Sequence, residues 1–264
     1  MGKKYKDFYE NIDRENVYST CKRADDHGAY KPLTHFVDSF NLKKKKILEV
    51  GSSKGLFQDL VDDYVGLDVA DTLACYYHKP YHVVRDDGTY PFDDNSFDGA
   101  WSWAVFEHIP DIDIALKELV RVIKPGGVIL FAPAWQCRSW AAEGYPVRPY
   151  SDFGLKGKMI KVSIPIQNSI LWRALILFPK RVLMHMRFLM GQSFNGLHHK
   201  KLKPNYEKFW MSDSDAVNNI DPHDAILWFE SNGCYCISHP LHRFALFVRG
   251  GVLIFKKNVE TNLL

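Results

Sequence analysis

The stretch KKKKILEVGSSKGLFQDLVDDYVGLDVA, residues 43–70, decides how the chain folds. A short apolar run, Ile47 to Val50, carries Glu49 and meets a glycine turn at Gly51. A helical pattern follows in LFQDLVDDY, then a second apolar run closing on Asp68. Strand, glycine turn, helix and strand is the first unit of an open parallel sheet, where ligands bind outside the carboxyl ends of the strands. Three ligands compete for the turn. A phosphate loop needs G-x-x-x-x-G-K-[ST], and Gly51 to Gly55 is one residue too short, with Leu56 after it. A dinucleotide fingerprint needs G-x-G-x-x-G, which Gly51-Ser52-Ser53-Lys54-Gly55 does not supply. The third reading is a loop that brings the backbone close to a nucleoside without phosphates, with Asp68 accepting both ribose hydroxyls.

The alternation continues outward. YHVVRDD and FDGAWSWAV read as further strands, and DIDIALKELVRVI as a helix whose Ile112, Ile114, Ala115, Leu119, Val120 and Ile123 follow its period. KPGG stops that helix before the strand VILFAP. Residues 135–221 break the rhythm. It resumes with a helix opened by Pro222 and ended near Gly233, a buried strand around Cys234-Tyr235-Cys236, and a last strand GGVLIFKK. Gly250-Gly251 is expected to turn a hairpin between FALFV and that last strand, giving an antiparallel edge. The pattern divides the chain into an N-terminal helical lid (1–45), a core (46–134 and 222–257) and an insertion (135–221).

Composition bounds the setting. The chain has 264 residues, 46% of them apolar, enough for one large domain with its own core. No stretch approaches the roughly 18 uncharged apolar residues of a membrane span. The first residues, MGKKYKDFYENIDREN, are too polar for a signal peptide, and Lys6 stands where a myristoylation signal needs Ser or Thr. Five scattered cysteines suit a reducing cytoplasm rather than a disulfide framework. Charge is uneven. Between Asp152 and Glu207 stand ten lysines and arginines and no acid, which leaves the rest of the chain at −7 against a total of +3. Such a block speaks about partners rather than fold.

Four segments occur in order at these spacings: ILEVGSSKG, VGLDVA, DDGTYPFDDNSFDGAWSWAVFEHIPD and ELVRVIKPGGVILFAP. Together they resemble the class I S-adenosylmethionine-dependent methyltransferases, closely over 46–134 and loosely over 222–257. Ser53 departs from the glycine that many members have there. The resemblance implies a Rossmann-like, doubly wound seven-stranded α/β sheet, mostly parallel with an antiparallel edge hairpin, and S-adenosyl-L-methionine as cofactor. It also implies site residues. Glu49, Gly51, Ser52, Ser53 and Gly55 would line the methionine end, and Asp68 with Val69 the ribose. Asp86 or Asp87, with Gly88, would meet the adenine, and Ser102 and Trp103 the methionine amino group. Ordinary turn chemistry is the alternative for these loop residues.

His108, after the fourth strand, is the expected catalytic base, because histidine takes a hydroxyl proton near neutral pH. Capping of the helix near Asp111 is its competing role. His198 and His199 are the second candidates for the base; as a metal pair they lack ligand-rich neighbours, and no metal is expected. The insertion should select the acceptor. Its segment 169–191 is apolar with only basic charges. It reads either as a core-packing hairpin broken at Pro179 or as a greasy, basic lid facing an anionic acceptor or a membrane surface. His198, His199, Lys200, Lys201 and Lys203 are the acceptor-binding candidates. The modest total charge argues against nucleic acid, although lysines interleaved with Tyr206, Phe209 and Trp210 would suit it. Two functions stand. One is O-methylation of a sugar or another small anionic acceptor, nucleotide- or lipid-linked, in the cytoplasm or at the inner membrane surface. The other is a protein that keeps the cofactor fold for binding or scaffolding, with methylation of RNA as a further alternative.

Overall fold

A computed structural model describes residues 3–11, 21–240 and 242–259. Five strands follow the alternation: β1 (Lys46–Val50), β2 (Asp63–Asp68), β3 (Tyr81–Val83), β4 (Phe97–Trp103) and β5 (Ile123–Ala132). Two further pairs complete the strands: the short β6 (Lys200–Lys201) and β7 (Asn218–Asn219), then β8 (Cys234–Cys236) and β9 (Leu253–Lys257). Seven of these form one sheet in the order β3-β2-β1-β4-β5-β9-β8. All pairings are parallel except those of β9, which runs antiparallel to both β5 and β8. The chain winds outward from β1 to β3, then returns to β4 on the other side of β1. The direction of winding therefore reverses between β1 and β4, and their carboxyl ends flank a crevice.

The central strands are buried on both faces, as a parallel sheet requires. One face packs Phe106, Phe131, Trp228, Phe229 and Phe255. The other packs Leu33 and Phe36 of helix α2 (Tyr30–Ser39) against Tyr64, Trp101 and Leu130. Helix α3 (Ile112–Val122) buries the expected face, but Ile114 stays 40% exposed and lies over Gly88.

Three expectations fail locally. The LFQDLVDDY segment is not a helix: it is turns and bends up to Asp62, and its last two residues already belong to β2. The carbonyls that a helix would satisfy internally are taken by lysines. Lys43 Nζ donates to those of Asp59 and Leu60, and Lys79 Nζ to that of Val61. FALFV is not a strand: a helical turn occupies His242–Ala245, and β9 pairs instead with β8, where Cys234 and Cys236 are buried as expected. The insertion hairpin turns at Ser169, not at Pro179. Ser169 is extended and caps the next helix by accepting from the amide of Trp172. Helix α4 (Leu155–Asn168) precedes it. After it α5 (Ile170–Trp172) runs through a π turn (Arg173–Leu177) into α6 (Phe178–Leu189). Pro179 sits in the first turn of α6, where its missing N–H costs least. Among the described residues no helix is long and apolar enough to cross a membrane.

Candidate functional site

The crevice holds the glycine turn. Gly51 and Gly55 have φ of +73° and +67°, and Ser53 between them sits at +46°, the left-handed region that glycine enters most easily. A Cβ on Gly51 would come within 2.2 Å of Val105, so only glycine fits there. The turn is tied to β2. Asp68 Oδ2 accepts from the Ser53 amide at 2.8 Å and Oδ1 from the Val69 amide at 2.7 Å. Tyr77 reaches the same loop, donating to Ser52 Oγ and to the Ser53 carbonyl. Glu49 lies beneath, buried, with Tyr64 donating to its carboxylate. Burial pushes its carboxyl up to about 8, against the lowering pull of Tyr64 and the nearby Trp101 indole. Ser102 on β4 is 2% exposed, and its hydroxyl has no partner. A backbone cradle, a ribose-type carboxylate and an orphaned buried hydroxyl at one crevice fit a nucleoside bearing an amino acid. Trp103 follows Ser102 at the strand end. The two adjacent acids part ways: Asp87 closes its own turn through Thr89, while Asp86 faces Lys6 of helix α1 (Lys3–Asn11) at 3.4 Å. Gly88 at φ +88° ends that turn.

His108 stands in a turn after β4, surrounded by acids. Its Nδ1 lies 3.3 Å from Asp215 Oδ2, an ion-pair distance without the alignment of a hydrogen bond. Its Nε2 lies 3.5 Å from Glu107 Oε1. Candidate ligand atoms of Glu107, His108 and Asp213 all fall within 4.8 Å of one another. Glu107 is fully buried, and neither of its carboxylate oxygens accepts a hydrogen bond. Burial pushes it up to about 7, with the His108 charge pulling down. Burial likewise raises Asp213, a non-glycine residue at φ +63°. Burial, and then these carboxylates, push the Cys137 thiol far up, which removes it as a nucleophile.

The acids are delivered by the end of the insertion. The amides of Val217 and Asn218 both donate to the Glu107 carbonyl, and Asn218 Nδ2 donates to the carbonyls of Phe106 and Ile109. That clamp lays 213–218 on the His108 turn. Helix α1 covers the arrangement: Tyr9 donates to Asp215 Oδ2 at 2.6 Å, and Phe8 packs on Tyr206. Tyr5 is buried, and its hydroxyl is raised by burial and by the charges of Asp68 and Asp215, the two sides of the crevice.

A cavity of about 310 Å³ is lined in part by Asn219 and Asp221, and His108 is not among its lining residues. Arg138, Lys180, His198, His199 and Lys200 are among its lining residues. Arg181 reaches its wall but is spent on structure. It pairs with Asp221 and donates to the carbonyls of Leu246 and Val248. Of the acceptor candidates, His198, His199 and Lys200 share this cavity. Lys201 instead donates to the Pro110 carbonyl, and Lys203 is exposed outside the lining. His198 lies 3.4 Å from Asp224, a buried acid pushed up to about 7. His198 itself is lowered, first by burial and then by Lys180 and Arg187.

Sequence reasoning named His108 as a candidate base but did not name Glu107, Asp213, Asp215 or Tyr9, which the structure places around it. One signal was available. Asp213 and Asp215, in SDSD, are among the first acids after a long stretch without any.

Residues 48–131 match the family model described as a methyltransferase domain. A tocopherol O-methyltransferase of Arabidopsis thaliana is 33% identical over 125 residues, 42% of this chain and 36% of that protein. A demethylmenaquinone methyltransferase of Staphylococcus haemolyticus is 46% identical over 50 residues, 19% of this chain and 21% of the other. The chain thus spans about a third or less of these relatives. Among solved structures, CalS10, an amino pentose methyltransferase from Micromonospora echinaspora, is 17% identical over 46% of this chain and 54% of that one, with a TM-score of 0.36. The segment 48–131 matches a methyltransferase domain, and the cofactor that its cradle fits is S-adenosylmethionine.

Proposed function

With that domain and cofactor as premise, we propose that the chain transfers a methyl group to a hydroxyl of a small or lipid-linked anionic acceptor, a phosphate-bearing sugar being the class that fits best. Bound at the cradle, the cofactor supplies a methyl group on a positively charged sulfur, so the protein's task is to position, exclude water and take a proton. Asp68 holds the ribose edge, and Glu49 and Ser102 the methionine end. Helix α1 acts as a lid, bringing Tyr5 and Tyr9 over the crevice. As the acceptor oxygen takes the methyl group, its proton passes to His108 Nε2. Asp215 beside Nδ1 and Glu107 beside Nε2 stabilise the imidazolium that results.

The observation that carries this reading is His108 between Asp215 and Glu107, covered by the lid residue Tyr9. An arrangement that only bound the cofactor would gain nothing from setting two buried acids and a half-buried third around one imidazole. The cationic cavity supports an anionic group on the acceptor, held away from the reacting oxygen, where remote contacts can position the substrate.

Two variants separate the parts. Asp215→Asn should lower turnover by about 10-fold or more while cofactor affinity stays as it was. Lys180→Glu with Lys200→Glu should raise the acceptor's KM and flatten its salt dependence with kcat little changed. If the lysine variant leaves KM untouched, the anionic-acceptor reading falls.

A further inference from the structure

From Gly154 to Lys180 the chain buries no residue, although this is the most apolar part of the insertion. On α4, Leu155, Met159, Val162 and Ile166 recur every three or four positions and so lie along one face. They are between 59% and 78% exposed. A helix of a globular domain turns such a stripe to the core; this one turns it outward. After the bend at Ser169, Leu171 and Leu175 are 69% and 73% exposed, and Leu183 and Met186 of α6 continue the apolar surface. Phe178 stacks on Phe247, which is itself 64% exposed, so the surface extends past the hairpin. Exposed apolar side chains concentrated on one segment in this way mark a binding surface.

Charge says what it binds. Lys156, Lys158, Lys180 and Arg187 are exposed on the same helices, and no acid occurs between Asp152 and Glu207. A second copy would set this cationic block against its own like. Nucleic acid would use the cations and leave the leucines in water. A bilayer with anionic headgroups satisfies both. A spanning role is ruled out by Arg173, Lys180, Arg181 and Arg187 within the second arm. The hairpin is also firmly held at its base, because Arg181 joins Asp221 to the carbonyls of Leu246 and Val248.

We propose that the helical hairpin formed by residues 154–190 docks the protein on an anionic lipid bilayer, lying in the interface with its leucines and methionines among the acyl chains and its lysines at the headgroups. This goes beyond the proposed reaction and does not depend on it, since docking needs neither cofactor nor acceptor. The two meet at one place: Leu177, Lys180 and Met184 of the same helical arm line the cationic cavity, which puts the cavity beside the membrane.

The test is co-sedimentation of the full chain with vesicles of phosphatidylcholine alone and with about one-third phosphatidylglycerol. The parent should bind the anionic vesicles at least tenfold more tightly. Leu171→Glu with Leu175→Glu, and separately Lys156→Glu with Lys158→Glu, should each weaken that binding by tenfold or more. Melting temperature and cofactor affinity should not move, because these side chains bury nothing. No preference for anionic vesicles, or full binding by both variants, overturns the proposal. So does self-association in sedimentation velocity, or binding to an RNA oligomer, that the leucine variant abolishes while vesicle binding is absent.

Discussion

Glu107→Gln should make the protein more stable at alkaline pH and leave it unchanged in acid. Glu107 is fully buried, its carboxylate oxygens accept no hydrogen bond, and its carboxyl is pushed from the ordinary 4.5 up to about 7. In the unfolded chain it ionises near its ordinary value. The native state therefore holds a proton that the unfolded state has released, across the window from about pH 4.5 to about 7. Stability contributed by the neutral acid is full below that window and is lost as pH rises through it. A shift of this size corresponds to about 3 kcal/mol at about 1.4 kcal/mol per unit. The nearby His108 charge and the relaxation of a real cavity bring the expected effect to about 1–3 kcal/mol. Glutamine keeps the shape and removes the titration. Urea unfolding at a series of pH values should show the two proteins equal near pH 4.5 and the variant more stable by about 1–3 kcal/mol at pH 8. Glu49 and Asp224 slope the same way, so the parent should lose stability with rising pH more steeply than Glu107 alone requires. Parallel pH curves for parent and variant would refute the reasoning, because Glu107 would then be ionised in the fold or paired with a cation.

Other consequences are independent. Glu49, neutral near pH 7 in the cradle, should ionise when the cationic cofactor binds beside it. Calorimetry should then give binding enthalpies that differ between phosphate and Tris by the heat of releasing up to about one proton; equal enthalpies would move Glu49 away from the cofactor's charge. Glu107, His108 and Asp213 are close enough to share a cation, yet the proposed proton transfer needs none. EDTA should therefore leave turnover intact, and loss of activity restored by a divalent ion would reassign the three as ligands.

Much of the core was legible because its signals are local. Glycines that must take positive φ and acids at strand ends sit within a few residues of what they determine, whereas KPGG is no separate stop: the helix ends at Val122 and residues 124–127 already belong to β5. The failures share another cause. LFQDLVDDY has a helical pattern, but Lys43 and Lys79, distant in sequence, take its carbonyls. The pairing of β8 with β9 passes over FALFV because the partner was chosen across the sheet, not along the chain. The acids around His108 were hidden for the same reason. Asp215 lies more than a hundred residues away and is brought in by the Asn218 clamp, which no periodicity announces. The apolar hairpin was ambiguous in sequence because a leucine stripe looks the same whether it faces a core or a membrane.

The most direct test of the whole account is transfer of labelled methyl from S-adenosylmethionine to nucleotide-linked and lipid-linked sugar phosphates, parent against His108→Ala. The account predicts label in an alkali-stable ether on at least one phosphate-bearing acceptor, and turnover lower by about 100-fold or more in the variant with cofactor affinity retained. Binding of the cofactor without transfer to any of these acceptors, or equal transfer by both proteins, would contradict it.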